Sequence, residues 1–573
     1  MKNPNLFALL CLLTAPAAFC QTQPELVWDS AIATPVGETA RMVINGAGDI
    51  AACSGSYANI SATNQHHLFQ TYGLDGQGNH LWTQEFRPVG GWNERAYWTT
   101  TDPAGNFITC GRNKATQSSN FGRVVIKYDP QGNELWQHVY SGAPFGNTAV
   151  RVETDPLGNI YVLGNGENAL VAVTKLDPNG NQLWSQQVTP ASGVPISMNS
   201  LAVADDGRVA YTCSINNLSW YTRCYDTNGA LLWTQLNSTG ILGGQDIAFD
   251  ATGAAYVCGS MGVGSTTYGA VIKYSPTGAL EWTLTHNGPN GPWDNFYRLM
   301  VKPDGNLVAV GQGVSTGLYL DWSVIQFGPD GVLHWAQTYT GIANNDERAR
   351  SVAVSATGDV YVAGIALPAM HPCGTTSLSD VDSTVVKYDA SGQEQWVAHA
   401  GCTGVNNSIH FAPGGDFVFN TQAGIQRWTE HELPSSYCPG VPNSSGGPAV
   451  VEWTGSAQLA ANDLVLSFNG TLPQQAFGYF LASRDQGFVA NPGGSAGNLC
   501  LANNIGRVVS DVIFFSGTTG SATVTVDNTV LPLAFGGPVS AQVGETWYFQ
   551  AWHRDPFSSF TSNFSDGLKV VWY

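Results

Sequence analysis

The phrase Ile126-Lys-Tyr-Asp-Pro-Gln-Gly-Asn-Glu-Leu-Trp136 constrains this chain more than any other stretch, because versions of it occur seven times. A β-rich run ends in Tyr128-Asp129, a Pro-Gln-Gly turn follows, and a second short run carries a Trp. β-branched and aromatic residues on either side of Asp, Pro, Gly and Asn read as a β-hairpin. The Asp caps the turn through its carboxylate, Pro presets φ, and Gly takes the site with φ > 0. The Trp offers a flat apolar body to a neighbour and an N–H that needs a carbonyl. Further copies end at Trp82, Trp184, Trp233, Trp282, Trp335 and Trp396. A spacing of roughly 50 residues means a repeat architecture, and it suits the four-stranded blades of a β-propeller.

A second phrase, a turn Gly followed by a β-rich run, precedes each hairpin. It begins at Gly48, Gly105, Gly158, Gly207, Gly253, Gly305, Gly358 and Gly415, which makes eight such turns against seven hairpins. The last unit ends in Gly424-Ile-Gln-Arg-Trp428 with no Trp strand behind it, while Glu25-Leu-Val-Trp28 is a Trp strand with no unit before it. The economical solution makes the N-terminal strand the outer strand of the last blade, which leaves no free edge between the first and last blades. The expectation is an eight-bladed propeller over about 24–430, with a seven-bladed ring as the alternative. Cys53, Cys110, Leu163 and Cys258 align on the second strand of their blades and read as core positions.

Composition agrees with an all-β fold. Only 11% of residues are charged, whereas Trp (18), Tyr (21) and Phe (24) are plentiful. The net charge of −19 leaves no basic face for nucleic acid or an anionic membrane. Residues 1–20 read as a signal peptide: Lys2, the apolar run Leu6–Leu13, then Ala18-Phe19-Cys20 before Gln21. A lipoprotein reading at Cys20 stays open beside plain secretion, although Phe19 stands where a small residue belongs. No later stretch has membrane-spanning length. Residues 431–447, rich in Pro, Ser and Gly, read as a linker or an opening loop. Residues 448–573 lose the repeat and carry short strands between Gly, Pro and Asn turns, which suggests a β-sandwich-like domain.

Eleven cysteines minus Cys11 and Cys20 leave nine in the mature chain. Cys438 and Cys500 are the two in the C-terminal domain and are expected to pair. Cys373 with Cys402, on loops of the seventh blade, is a second candidate, and Cys213 with Cys224 a third. No spacing resembles a zinc site. Gly313-Val-Ser315-Thr-Gly317 matches the serine-hydrolase pattern but falls between strands rather than on a strand-to-helix elbow. Asp177-Pro-Asn179-Gly-Asn181 opens like a calcium loop yet lacks its closing Glu, and reads as a turn. His66-His67 stands without a carboxylate or Cys at ligand spacing. One constellation carries more weight: Arg41, Glu94-Arg95, Arg151, Asp294 with Arg298, and Glu347-Arg348 lie ahead of the turn glycines, near the start of the innermost strands. Such a ring suits an anionic or sugar ligand, or else its members satisfy one another around a wet channel.

The hairpins, the Gly158-Asn-Ile-Tyr-Val phrases and the Trp strands resemble bacterial secreted β-propeller repeats of the SBBP type, and more loosely the Trp-docked blades of quinoproteins. The quinoprotein resemblance implies an eight-fold ring and a pyrroloquinoline quinone site. The chain has no adjacent Cys-Cys pair and no matching calcium-ligand set, so the fold is carried over without cofactor or catalytic residue. No cofactor is expected, calcium staying open. Gly478–Ser483, Gly497–Leu501 and Gly544–Asp555 are similar to a C-terminal module of secreted planctomycete-like and myxobacterial-like proteins, which implies location more than activity. The functional expectation is a secreted, extracellular or cell-surface, monomeric recognition or scaffold protein. Its propeller would present a surface to a glycan or protein, and its C-terminal domain would attach to a surface or matrix. The alternative is a lyase, hydrolase or quinone-dependent oxidoreductase acting at the central channel.

Overall fold

The computed structural model describes residues 24–573 apart from residues 31–40 and the loop segments 62–63, 88–92, 115–120, 141–147, 166–170, 189–195, 216–218, 238–240, 264–265, 289–292, 315–319, 342–346, 367–381, 401–407, 422–423, 432, 509–512 and 556–561. The signal-peptide segment, Cys373, Cys402 and Ser315 therefore lie outside the described residues.

Eight four-stranded antiparallel sheets follow one another and form the blades. Seven are built from consecutive strands, the first over 41–86 and the seventh over 348–399. The eighth takes its inner strands from 409–429 and its outermost strand, Glu25–Ser30, from the N-terminus. Leu26 lies opposite Trp428 and Ser30 opposite Ile425, so the ring closes by backbone pairing across almost 400 residues of chain.

The repeated phrase is the joint between blades. Trp82 Nε1 donates to Pro130 O at 2.9 Å, Trp136 to Pro178 O at 3.0 Å, and Trp184 to Thr227 O at 3.0 Å. Each acceptor lies in the hairpin turn of the next blade, two residues before the turn glycine. That glycine lies flat on the indole: a Cβ on Gly132, whose φ is 83°, would stand 2.4 Å from Trp82. Glycine is thus demanded twice, by the left-handed backbone and by the close approach of the ring. The Asp of the phrase holds the turn: Asp129 Oδ1 accepts the Asn133 amide at 2.8 Å. The strand Lys reinforces the joint from the side, Lys127 Nζ reaching Pro178 O at 2.9 Å. Trp28 performs the same docking at the closure, donating to Gly76 O at 3.2 Å with Gly78 against its ring. Trp396 faces a blade that lacks this hairpin, and there the Glu430 carboxylate accepts its N–H at 2.8 Å and an ion pair from Lys387. Trp233 keeps the stacking on Gly278, but its Nε1 is buried without a partner.

The propeller core is a set of seams. The seam between the last and first blades packs Met42, Ile50 and Leu74 against Val418 and Ile425, with Trp28 beside them. Cys53, Cys110, Leu163 and Cys258 are fully buried. The expected Cys213–Cys224 bridge does not form: both are free, buried thiols. Cys213 lies opposite Tyr221 and Cys224 opposite Ala210, so the two side chains project from opposite faces of the sheet into different seams.

Beyond the propeller, a six-stranded and a three-stranded sheet share one core, Phe480, Trp547 and Phe549 from the first meeting Leu464, Leu466 and Phe468 from the second. The stretch expected to be a linker or opening loop contributes an edge strand, Ser435–Cys438, paired with Ser562–Val571. A disulfide joins Cys438 to Cys500, as the cysteine arithmetic anticipates. Asp177 behaves as a turn residue, accepting the Asn179 and Asn181 amides at 2.9 and 2.8 Å. No helix among the described residues is long and apolar enough to cross a membrane.

If the docked Trp holds the ring shut, Trp28→Ala removes both a hydrogen bond and a packed indole at the closure, at a cost of about 3 kcal/mol. Urea unfolding of the full chain should show that loss, together with early proteolytic release of the N-terminal strand. An unchanged midpoint would contradict the role given to Trp28.

Candidate functional site

The channel site comes from register. Counting back seven residues from each turn glycine gives Arg41, Trp98, Arg151, Ser200, Asp246, Arg298, Ser351 and Ser408, one in each innermost strand in ring order except Ser408, which immediately precedes its strand. In six blades the strand pairing slips by one residue immediately before this position, for example between Ala96 and Trp98 and between Ala149 and Arg151. An extra residue of this kind bends the strand and re-aims its side chains. All eight innermost strands line a channel cavity of about 470 Å³, with Arg41, Trp98, Asp246 and Arg298 in its wall.

Three guanidiniums converge on one indole. Arg151 stands 4.0 Å from the Trp98 ring centroid, Arg41 4.9 Å, and Arg298, from the opposite side of the ring, 5.8 Å. These are cation–π distances. Arg151 and Arg298 each donate to the carbonyl of the residue before them, Val150 at 3.0 Å and Tyr297 at 2.9 Å, so the bulge also holds the side chain it aims. Arg151 Nε is buried with no hydrogen-bond partner.

Two acids complete the site, and neutral donors occupy their oxygens. Glu153 accepts from Trp98 Nε1 at 3.2 Å and from Thr100 Oγ1 at 3.5 Å. Asp246 accepts from Ser200 Oγ at 2.6 Å and from the Leu299 amide at 3.0 Å. Burial, then the neighbouring charges of Arg298 and Arg151, hold Arg41 well below the usual arginine value. Arg151 is pushed down to about 10 by burial and then by Arg298. Glu153 is pushed up to about 7 by burial, against the pull of Arg151 and the Trp98 hydrogen bond. Burial lowers His410 in the same cavity to about 4, which leaves it neutral. Near neutral pH the result is a local excess of positive charge inside a protein of net charge −19.

The sequence candidates divide. Arg41, Arg151 and Arg298 come together on Trp98. Arg95 and Arg348 are the first residues of their strands, three positions nearer the mouth, where Arg95 lies 4.9 Å from the Tyr97 ring. Asp294 is fully buried, and its carboxylate accepts the Gly288 amide at 2.7 Å, tying down the connection between two blades. Glu347 does the same for the Gly341 amide at 2.6 Å. Trp98, Glu153, Asp246 and His410 are the site residues that a search for Arg-acid neighbours passes over; alignment on the turn glycine finds Trp98 and Asp246 seven positions back, and Glu153 and His410 both five positions back. Among the described residues no three His, Cys, Asp or Glu side chains gather as metal ligands.

No protein-family model matches the chain, and no curated protein sequence matches it. Among solved structures it is similar to a streptogramin B lyase, at 12% identity over 58% of this chain and 93% of that one, with a TM-score of 0.37. It is also similar to Sqt1 from Chaetomium thermophilum, at 12% identity over 70% and 98% of the two chains, with a TM-score of 0.43. Neither likeness bears on function, and the blade count rests on the strand pairing itself.

Glu153 gives the site a pH signature. Between its ordinary value of 4.5 and about 7, the folded protein keeps a proton that the unfolded chain has released. Its contribution to stability therefore falls as pH rises across that window. Glu153→Gln keeps an acceptor for Trp98 and cannot ionise. Urea unfolding should show the variant gaining on the parent between about pH 4.5 and pH 7; a difference independent of pH would refute the assignment.

Proposed function

We propose that this is a secreted recognition protein whose propeller binds a small anionic ligand, a sugar acid in particular, in the central channel, while the C-terminal domain attaches it to an extracellular surface or matrix. The observation that carries this reading is the convergence of Arg41, Arg151 and Arg298 on Trp98. Like charges held this close repel one another, and a bound carboxylate relieves the repulsion and gives the guanidinium forks planar partners. Ser351, whose hydroxyl accepts the Ile409 amide and keeps its proton to donate, adds a neutral donor to the same ring, which suits a ligand bearing hydroxyls of its own. A cavity of about 470 Å³ has room for a monosaccharide acid. The N-terminal segment of residues 1–20 supports export, and the SBBP-like blades and secreted-type C-terminal module support an extracellular setting, with the protein acting as a monomer.

Titration calorimetry with galacturonate at pH 6 tests this. The parent protein should bind with a saturable heat that weakens as Glu153 ionises above pH 7. Arg41→Ala or Arg298→Ala should each weaken binding about tenfold or more, the scale of a lost charge-assisted hydrogen bond. No heat, or equal affinity in the variants, would overturn the proposal.

A second reading has one observation in its favour. Glu153 lines the cavity and is pushed up to about 7 by burial, which gives it the character of a general acid. On that reading the channel cleaves an acidic glycan, and new chain ends should accumulate when the protein is incubated with a polyuronate and vanish with Glu153→Gln.

A further inference from the structure

The six-stranded sheet of the C-terminal domain buries one face and leaves part of the other open. Along Phe477–Ser483 the alternate residues Phe480 and Ala482 face the core, and so do Trp547, Phe549 and Ala551 of Thr546–Arg554. Their outward neighbours form an aromatic strip: Tyr479 pairs with Trp552 across the strands, ring centroids 5.1 Å apart, and Phe477 pairs with Phe515. The hairpin of Asp485–Ala490 and Asn498–Ala502 covers the other half of this face. It is pinned there by the disulfide and by Gln550, which accepts the Cys500 amide at 2.8 Å and donates to Asn498 O at 2.9 Å. The strip itself stays exposed, Phe477 at 41% and Phe515 at 58%.

Two arginines turn this apolar strip into a chemically specific one. Arg507 lies 4.1 Å from the Tyr479 ring centroid, and Arg554 lies 5.6 and 5.9 Å from Phe477 and Trp552. Both are exposed. Residues 435–573 contain four basic side chains, Arg484, Arg507, Arg554 and Lys569. Arg484 is engaged with Glu545 at 3.0 Å. Half of the domain's positive charge therefore sits on its exposed aromatic strip, although the chain as a whole is acidic.

We propose that this strip binds an extracellular polysaccharide carrying uronate carboxylates. The apolar C–H faces of sugar rings pack on the exposed aromatic surface, which loses little side-chain entropy on binding. Arg507 and Arg554 pair with carboxylates carried by the chain, and the planar guanidinium fork matches the planar carboxylate. A purely apolar protein partner would leave both guanidiniums without a counter-charge in a desolvated interface. The proposal rests on the attachment role given to the C-terminal domain and is independent of the channel site.

The test is affinity electrophoresis of the full chain through gels containing polygalacturonate or neutral dextran, with unfolding midpoints to confirm that the variants are folded. Polygalacturonate should retard the parent, dextran should not, and added salt should relieve the retardation. Arg507→Ala with Arg554→Ala should remove about tenfold or more of the affinity, and Trp552→Ala should weaken it, while Arg484→Ala, whose guanidinium is held by Glu545, leaves retardation unchanged. Absence of retardation, equal retardation by dextran, or survival of it in the double arginine variant would overturn the site. Co-sedimentation with phosphatidylglycerol vesicles in place of polygalacturonate binding would overturn it in favour of a lipid surface. Retention on insoluble bacterial matrix that survives the double variant would overturn the strip yet leave the attachment role standing, whereas no retention by either matrix or gel would remove both.

Discussion

An indole on the outer strand of one blade lies on a left-handed glycine of the next and hands its N–H to a carbonyl two residues before that glycine. Everything else in the propeller depends on this contact. A four-stranded blade alone cannot cover its two faces, so its stability is a property of the seams. The docking fixes how far each blade is rotated from its neighbour, and seven such steps with one variant of it complete the ring. Where the chain runs out of hairpins the contact is supplied by other means, by Trp28 from the N-terminus on one side and by the Glu430 carboxylate on the other.

A ring closed in this way is a stiff frame, and the frame makes the channel chemistry possible. Arg41 and Arg151 come from the blades on either side of Trp98, while Arg298 comes from across the channel. Left free, three guanidiniums would separate. Here each is anchored to an innermost strand, two of them by hydrogen bonds to the bulge that aims them. The two acids in the cavity are turned toward Trp98, Thr100, Ser200 and the Leu299 amide. The site thus keeps an unneutralised field in a partly desolvated space, the condition under which an incoming anion gains most from charge-assisted hydrogen bonds.

The fold was legible because the joint is written in residues with narrow physical roles. A Gly that must lie flat against an indole, an Asp that must hold a turn amide and a Trp that needs a carbonyl cannot drift far without breaking the seam. Counting turns against hairpins was enough to reveal the shared eighth blade. The site was legible only in part. Arg41, Arg151 and Arg298 stood out as rare charged residues near strand starts, but so did Asp294, which the structure commits to the Gly288 amide. Trp98 was hidden among 18 tryptophans, eight of which are read as docking residues. The bulge before six of the eight ring residues leaves no composition signal, and a one-residue slip decides which side chain faces the channel. The Cys213–Cys224 expectation failed for the same reason: proximity along two paired strands says nothing about which face each thiol occupies.

The central claim is that the convergence of cations on Trp98 is an anion site. The most direct measurement is an anomalous difference map from crystals of the full chain soaked in selenate near pH 6, where Glu153 is largely protonated. The account predicts a peak in the channel within hydrogen-bond reach of at least two of Arg41, Arg151 and Arg298, absent in Arg298→Ala. Selenate ordered elsewhere on the protein with an empty channel would contradict it.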